Sequence, residues 1–145
     1  MPETQDTFVH RWFEEVWNKG RAAAIDEMLA PGAVVHGIKG PDGAELRGPA
    51  GFKPFFEMFR AAFPDIHVEV EETIIDGEKF SGRCVARGTH KGPLGGFPAT
   101  QKQIEFSGMC MAVVRDGKMT EVWNTWDFVT MYRQLGALTF AEGIL

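Results

Sequence analysis

The spacing of apolar residues changes at Pro64, and this change is the strongest constraint that the sequence places on the fold. Before Pro64, apolar residues recur at the three- and four-residue intervals of an amphipathic helix, as in Phe8, Trp12, Phe13, Val16 and Trp17. After Pro64, Ile66, Val68 and Val70 alternate with polar residues, which is typical of a half-buried strand. Helices followed by strands predict an α+β fold in which the helices pack on one face of a bent sheet.

Glycine and proline residues divide the two halves into individual elements. We predict a first helix that starts at Thr4 or Asp6 and stops before Gly20, a second over residues 21–29 and a third within 47–65. A short strand over 33–37 and a turn-rich segment lie between the second and third helices. Long strands are then predicted over 66–71, 79–90, 103–114 and 119–127, with Asp76-Gly77 and Asp116-Gly117 as hairpin turns. A closing turn of helix is predicted over 128–136.

Length and charge limit the possible classes of protein. The 145 residues fit one domain that spans 1–145 and is large enough to bury a core. With 15 basic against 20 acidic residues and no long run of either sign, the chain lacks the electrostatic footprint of a nucleic-acid-binding protein. No apolar run reaches the length of about 18 residues that a membrane span needs, and the N-terminus does not resemble a secretion signal.

The two cysteines, Cys84 and Cys110, lie in apolar, strand-like runs without the spacing of a metal site. We interpret both as small buried side chains. A reducing, cytoplasmic location is the simplest setting for such cysteines.

Four stretches in the later part of the chain occur in an order and spacing that resemble one protein family. They are FPDIHVEVEE, GTHKG followed by GGFPAT, RDGKMTEVWNTWD, and RQLG. With the helix-rich first half, they resemble the SnoaL-like polyketide cyclase (ester cyclase) family of the NTF2-like superfamily over nearly the whole chain. The resemblance implies a cone-shaped fold, in which a curved, mixed or antiparallel sheet is wrapped by N-terminal helices around a deep apolar pocket. It also implies a homodimer that forms through the outer face of the sheet.

The same resemblance implies ring closure by an intramolecular aldol condensation, with an aspartate as the acid/base and no metal or organic cofactor. By its place at the W-x-x-W-D end of the last long strand, Asp127 matches that aspartate. Family enzymes also place a histidine near the reacting carbonyl, but residues 104–114 contain no histidine. The second catalytic residue is therefore left open.

Two roles for Asp127 follow from its neighbours. If the last strand is regular, Asp127 points to the same side as Glu121, Trp123 and Thr125. Burial against the aromatic rings would raise the pKa of Asp127 toward a range in which it could accept a proton from an activated carbon. Alternatively, Asp127 caps the helix that begins at Phe128, and one carboxylate could fill both roles.

Three other side chains could assist the aspartate. Arg83 lies in a strand, and a buried arginine needs a partner, which Asp127 or Glu121 could supply; the alternative is an exposed arginine on the sheet surface. His36 ends the early strand just before a glycine, which would let a ligand approach, so it is the candidate electrophile or proton donor. His90 lies at the start of a glycine-rich loop that could close over the pocket. Because the histidines lack metal-ligand spacing, we predict no metal site.

Aromatic and methionine side chains are the candidate ligand contacts. An aromatic content of 12%, with 12 Phe and 4 Trp, suggests either a ring-rich core or a cavity lined with rings. Methionine adds an adaptable surface that suits a flat, polycyclic or otherwise apolar ligand. The candidates are Trp12, Phe13, Trp17, Phe56, Phe59, His90, Met109, Met111, Trp123 and Trp126.

The preferred interpretation is a cofactor-free SnoaL-like enzyme, a polyketide cyclase-like lyase or isomerase. It would act by acid/base chemistry, in an aldol-type cyclisation or isomerisation, on an apolar and polyketide-like small molecule. Asp127 would move the proton while Arg83 or His36 polarises a carbonyl. The alternatives are an epoxide or ester hydrolase on the same fold, with Glu121 or Asn124 beside the carboxylate, and a non-catalytic small-molecule binding module.

Overall fold

The computed structural model describes residues 3–40 and 42–143 of the chain. Helices and strands follow the predicted order. The helices are α1 (Gln5–Trp12), continued by a π-helical segment (Phe13–Asn18), α2 (Ala22–Met28), α3 (Gly48–Ala62) and α4 (Phe128–Leu135). The strands are β1 (Leu29–Lys39), β2 (Glu45–Arg47), β3 (His67–Asp76), β4 (Lys79–Thr89), β5 (Gln103–Arg115) and β6 (Lys118–Trp126).

The first helix begins and ends where its sequence predicts. The hydroxyl of Thr4 accepts a hydrogen bond from the Thr7 backbone N–H at 3.0 Å, which satisfies one of the free donors in the first turn. Gly20 has a φ of +67°, which favours glycine, and it lies two residues after the π-helical segment. A π-helical segment within a helix is rare and often lies at a functional site. Here the segment carries Phe13 and Trp17, whose side chains are buried.

The sheet has the order β2-β1-β6-β5-β4-β3. Strand β1 pairs in parallel with β6, and the other neighbours are antiparallel, so the expected mixed sheet is confirmed. Both predicted hairpins are present, since Asp76 pairs with Lys79 and Arg115 pairs with Lys118. Irregularities in the register between β3 and β4 and between β5 and β6 mark bulges, which bend strands.

The structure differs from the sequence prediction between residues 29 and 62. Strand β1 is longer than the predicted 33–37, and part of the turn-rich segment forms β2, which pairs with β1. Pro49 lies in the first turn of α3, and Pro54 lies inside the helix. The extra length of β1 and the presence of β2 have no signal in the spacing of apolar residues, because the pairing of a short strand depends on its partner.

A single apolar core lies between the helices and the inner face of the sheet, the face that is turned toward them. Cys84 and Cys110 are both buried there, as predicted. Within the part of the chain that the structure describes, no helix has the length and hydropathy of a membrane span. The cytoplasmic location stays a prediction.

Candidate active site

A hollow lies between the helices and the inner face of the sheet. Its walls are almost entirely apolar and largely aromatic. Its free volume is about 60 Å³, well below the about 300–1,000 Å³ of a pocket for a drug-sized ligand. Side chains therefore fill most of the space in this state. The aromatic members are Trp12, Phe13, Trp17, Phe52, Phe55, Phe59, Phe106, Trp126 and Phe128.

Trp17 is the centre of the aromatic wall. It lies on the π-helical segment and faces one side of α3, where phenylalanines recur at helical spacing. Its ring centroid is 5.5 to 6.1 Å from those of Phe52, Phe55, Phe56 and Phe59. These edge-to-face and tilted pairs are worth about 0.5–1.5 kcal/mol each beyond their buried area, so they stabilise this wall.

Asn124 is the one polar residue among the described residues that line the hollow. Its amide nitrogen donates to the backbone oxygen of His36 at 3.3 Å, and its amide oxygen accepts from the Trp126 indole N–H at 3.2 Å. The side chain is only partly buried. Within residues 3–40 and 42–143, the second N–H of the amide has no protein acceptor, so it can donate to a bound oxygen.

Two glycines allow the close packing around Asn124 and Trp126. A Cβ at Gly108 would lie 2.2 Å from Cε3 of Trp126, so the indole lies directly over this bare position of β5. A Cβ at Gly37 would lie 1.9 Å from the backbone oxygen of Asn124. The expectation that this glycine leaves space for a ligand is therefore wrong, because it allows β1 to approach β6.

Asp127 lies outside the hollow. Its carboxylate is exposed and caps α4, accepting from the backbone N–H of Thr130 at 3.0 Å and from its hydroxyl at 2.6 Å. These hydrogen bonds lower the pKa of Asp127, the one from the hydroxyl having the largest effect. The predicted burial and raised pKa are wrong, because the start of α4 supplies donors to the charged form; the alternative capping role is observed.

Arg83 is also on the outer face of the sheet, the face turned away from the helices. It pairs with Glu71 at 2.7 Å and not with Asp127 or Glu121, and its side chain is 48% exposed. The structure thus has the surface arginine of the alternative interpretation. Arg83 and Asp127 border a common cleft on this face, but no hydrogen bond joins them.

His36 bridges two carboxylates on the same face. Its Nε2 is 2.7 Å from a carboxylate oxygen of Glu121, and its Nδ1 contacts Glu45 of β2. Its ring stacks on Trp123 at 5.4 Å. The hydrogen bond with Glu121 has the largest effect on the pKa of His36 and raises it, and the hydrogen bond with Glu45 raises it as well, which favours the charged form of the imidazole. It does not face the hollow, because the preceding residue of β1, Val35, points into the hollow and adjacent strand residues point to opposite faces.

Comparison with known proteins identifies the family to which this arrangement belongs. The sequence model described as SnoaL-like polyketide cyclase matches residues 7–135. The chain belongs to this family. It is 33% identical over 141 residues to the aklanonic acid methyl ester cyclase DnrD of Streptomyces peucetius, covering 92% of this chain and 91% of that protein. It is 29% identical over 127 residues to the nogalonic acid methyl ester cyclase of Streptomyces nogalater, with coverages of 83% and 89%.

Solved structures agree with this assignment. The crystal structure of IdmH from Streptomyces antibioticus matches this SnoaL-like chain with a TM-score of 0.79 at 33% identity, covering 92% of this chain and 99% of that one. TsrD from Streptomyces laurentii, at 21% identity, shares the fold with a TM-score of 0.80. The α+β fold and the family membership expected from the sequence are both confirmed.

The SnoaL-like hollow contains half of the predicted ligand contacts. Trp12, Phe13, Trp17, Phe59 and Trp126 line it, although their contact with a ligand stays a prediction. Of the other predicted residues, Phe56 packs against Trp17 but does not line the hollow. Met109, Met111 and Trp123 do not line it either, because their positions on β5 and β6 alternate with inward-facing residues.

His90 is fully buried beside the hollow and not within it. Its Nδ1 accepts from the backbone N–H of Thr100 at 3.1 Å, and its ring lies between Phe63 and Phe97. It fastens the loop between β4 and β5 to the core, so the predicted contact with the hollow is wrong.

Sequence reasoning did not single out Asn124 or four aromatic wall residues as ligand contacts. Asn124 entered only as an option beside a hydrolytic carboxylate. The signal was present, because alternation along β6 places Asn124 on the side of Val122 and Trp126. The missed rings are Phe52, Phe55, Phe106 and Phe128.

Proposed function

We propose that this chain is a cofactor-free enzyme that performs an aldol-type cyclisation or isomerisation on an apolar, polyketide-like molecule in the hollow. One observation carries the proposal, namely an aromatic hollow in which Asn124 is the single polar side chain among the described lining residues and has an N–H without an acceptor among them. Family membership supports it, because the relatives named above are cyclases of polycyclic acid methyl esters. The ligand that fits such walls is flat, uncharged and able to accept one hydrogen bond.

The chemistry that suits this hollow starts from a C–H bond made acidic by flanking carbonyls. Loss of the proton gives an enolate, whose carbon attacks a second carbonyl of the same molecule; the resulting alkoxide then takes up a proton. We assign to Asn124 the donation of an N–H to the enolate oxygen, where charge develops. The aromatic walls hold the two ends of the molecule together, which replaces a search between conformers with one geometry.

Solvent is the proton acceptor in this proposal. No Asp, Glu, His, Lys or Arg side chain of the described residues lines the hollow. A carbon acidified by two carbonyls needs only a weak base, and water can approach the partly exposed Asn124. The catalytic roles of Asp127, His36 and Arg83 stay predictions, and their positions outside the hollow do not support them.

One alternative keeps support from the geometry. A non-catalytic binding module would have its aspartate turned to the helix start and its cavity filled by rings, and both features are present here. The hydrolase alternative needs a carboxylate beside a bound water, and the described lining contains none. The second candidate function is therefore small-molecule binding without turnover.

Incubation with aklanonic acid methyl ester and nogalonic acid methyl ester separates these functions by chromatography and mass spectrometry. Cyclisation gives a product of unchanged mass and new retention time, whereas ester hydrolysis removes a methylene from the mass. Binding without turnover leaves the ester intact and quenches tryptophan fluorescence. No product of unchanged mass with either ester would contradict the cyclase proposal for these substrates.

Asn124→Leu tests the assigned donor. Loss of the Asn124 N–H donor should lower kcat by about 10²-fold, the size of effect seen when an oxyanion donor is removed. Thr125→Val is the matched control, because Thr125 is the next residue of β6 and is exposed on the outer face. Equal rates in Asn124→Leu and wild type would contradict the role of Asn124.

We also propose that the chain forms a homodimer through the outer face of the sheet. Met109 and Met111 are 53% and 42% exposed there, although they are large and apolar. Adjacent exposed apolar side chains of this kind mark contact surfaces. Light scattering after size-exclusion chromatography should give twice the 16.1 kDa mass of the chain, and Met109→Glu should give the monomer mass. A monomeric wild type at micromolar concentration would overturn this proposal.

A further inference from the structure

The side-chain amide of Asn124 is held by two neighbours of opposite hydrogen-bonding character. Its nitrogen donates to the backbone oxygen of His36 at 3.3 Å, and its oxygen accepts from the indole N–H of Trp126 at 3.2 Å. An indole nitrogen only donates and a backbone oxygen only accepts. A flipped amide would therefore set N–H against N–H at Trp126 and oxygen against oxygen at His36, so the two contacts together select one orientation.

Ring packing fixes the indole of Trp126. Its ring makes edge-to-face contacts with Phe13 and Phe106, at centroid distances of 6.2 and 6.0 Å. Its neighbour on β5 is Gly108, where a Cβ would lie 2.2 Å from the ring, so the indole occupies the space that a side chain at this position would fill. The direction of the indole N–H is therefore set by packing, and Trp126 offers Asn124 a donor that is already in place.

The contact between Asn124 and Trp126 follows from their spacing on β6. The two residues are two positions apart on the strand, so their side chains share a face, and both line the hollow. Asn124 is only partly buried, and a single hydrogen bond to His36 would leave its amide free to turn about that bond. A donor stabilises a transition state best when it is already aimed at the place where charge develops. The hydrogen bond from Trp126 supplies the second restraint on the amide.

We propose that Trp126 is a positioning residue, whose indole N–H holds the Asn124 amide so that the remaining N–H of the amide faces a ligand oxygen in the hollow. The inference rests on the proposed function, because it assumes that Asn124 donates to the enolate oxygen. It adds a residue that acts on the reaction through Asn124. It also gives Trp126 a polar role, which an apolar contact with the ligand does not include.

Replacement of Trp126 by β-(3-benzothienyl)alanine tests the N–H alone, because a sulfur atom takes the place of the N–H and the shape of the ring is kept. With a methyl ester that the wild type cyclises, kcat should fall about fivefold, the effect of one ordinary hydrogen bond, and KM should stay unchanged because the walls keep their shape. The same replacement in Asn124→Leu should cause no further fall in kcat, since Trp126 acts through Asn124. The melting temperature should fall by no more than about 3 °C, which guards against a folding defect. The side-chain amide resonances of Asn124 in a ¹⁵N–¹H spectrum should shift in the single variant.

The same replacement at Trp123 is the matched control, because Trp123 lies next to Asn124 on β6 and does not line the hollow. Its kcat and KM should equal those of wild type. An unchanged kcat in the Trp126 variant, with or without a raised KM, would refute the positioning role and leave the proposed function intact. A further fivefold fall in the Asn124→Leu background would refute it as well, because Trp126 would then act independently of Asn124. If the wild type cyclises neither ester, the proposed function fails, and the role of Trp126 in the reaction fails with it.

Discussion

Replacing Asp127 by asparagine separates the two roles that its position allows. In the structure, the carboxylate accepts two hydrogen bonds from Thr130 and caps α4. Asparagine is about as good an N-cap as aspartate, so Asp127→Asn should keep the helix start intact. If Asp127 serves only as a cap, the variant should also keep its turnover, whereas a catalytic base would be lost.

The magnitude for full removal of the cap follows from the size of the domain. Replacing a capping aspartate by alanine costs about 1 kcal/mol. An unfolding entropy of about 2.1 cal/mol/K per residue gives roughly 0.3 kcal/mol/K for 145 residues, so the melting temperature should fall by about 3 °C. Asp127→Ala should show this fall, and Asp127→Asn should stay near wild type.

Both variants are examined by thermal melting followed by circular dichroism and by turnover of the methyl esters. Thr130→Val is the control, because it removes the hydroxyl partner and leaves the carboxylate in place. It should lose part of the capping stability and keep full turnover. A loss of turnover of about 10²-fold in Asp127→Asn, with an unchanged melting temperature, would refute the account in which Asp127 serves only as a cap and would add an acid/base role, an effect within the usual range for such residues.

Three further predictions concern the hollow and the outer face. Gly108→Ala should displace Trp126, weaken ligand binding and lower the free energy of unfolding by about 1–3 kcal/mol through overpacking. Gly96→Ala is the control and should melt like wild type, because its added Cβ meets no atom within 4 Å. The pKa of His36 is raised in the folded state, so its contribution to stability is complete below the unfolded-state pKa of about 6.5 and falls as pH rises through the folded-state pKa. The free energy of unfolding of His36→Gln, measured with urea, should lack this fall. The free acid of either ester should bind at least about 10²-fold more weakly than the ester near neutral pH by calorimetry, since the described part of the chain places no cationic side chain in the lining to pair with a buried carboxylate. Equal affinities would contradict an uncharged substrate.

The sequence was informative about the architecture because apolar spacing reflects secondary structure directly. The change of period at Pro64 separated helices from strands, and the two Asp-Gly pairs located the hairpins. The alternation along β6 was also correct, with Val122, Asn124 and Trp126 on one side. What alternation does not reveal is which side faces the helices. The prediction chose the side of Asp127, and the ligand-contact candidates Met109, Met111 and Trp123 were misplaced as well.

The sequence by itself determined the order of the elements, the family and the aromatic character of the interior, because each depends on local spacing or on motifs. Only the tertiary structure decided which polar side chain reaches the hollow. Asn124 lines it because β6 is paired between β1 and β5 with its Val122 side turned to the helices. Asp127 is one residue beyond the strand, where the unpaired N–H groups of α4 stabilise its charge more than an apolar hollow could.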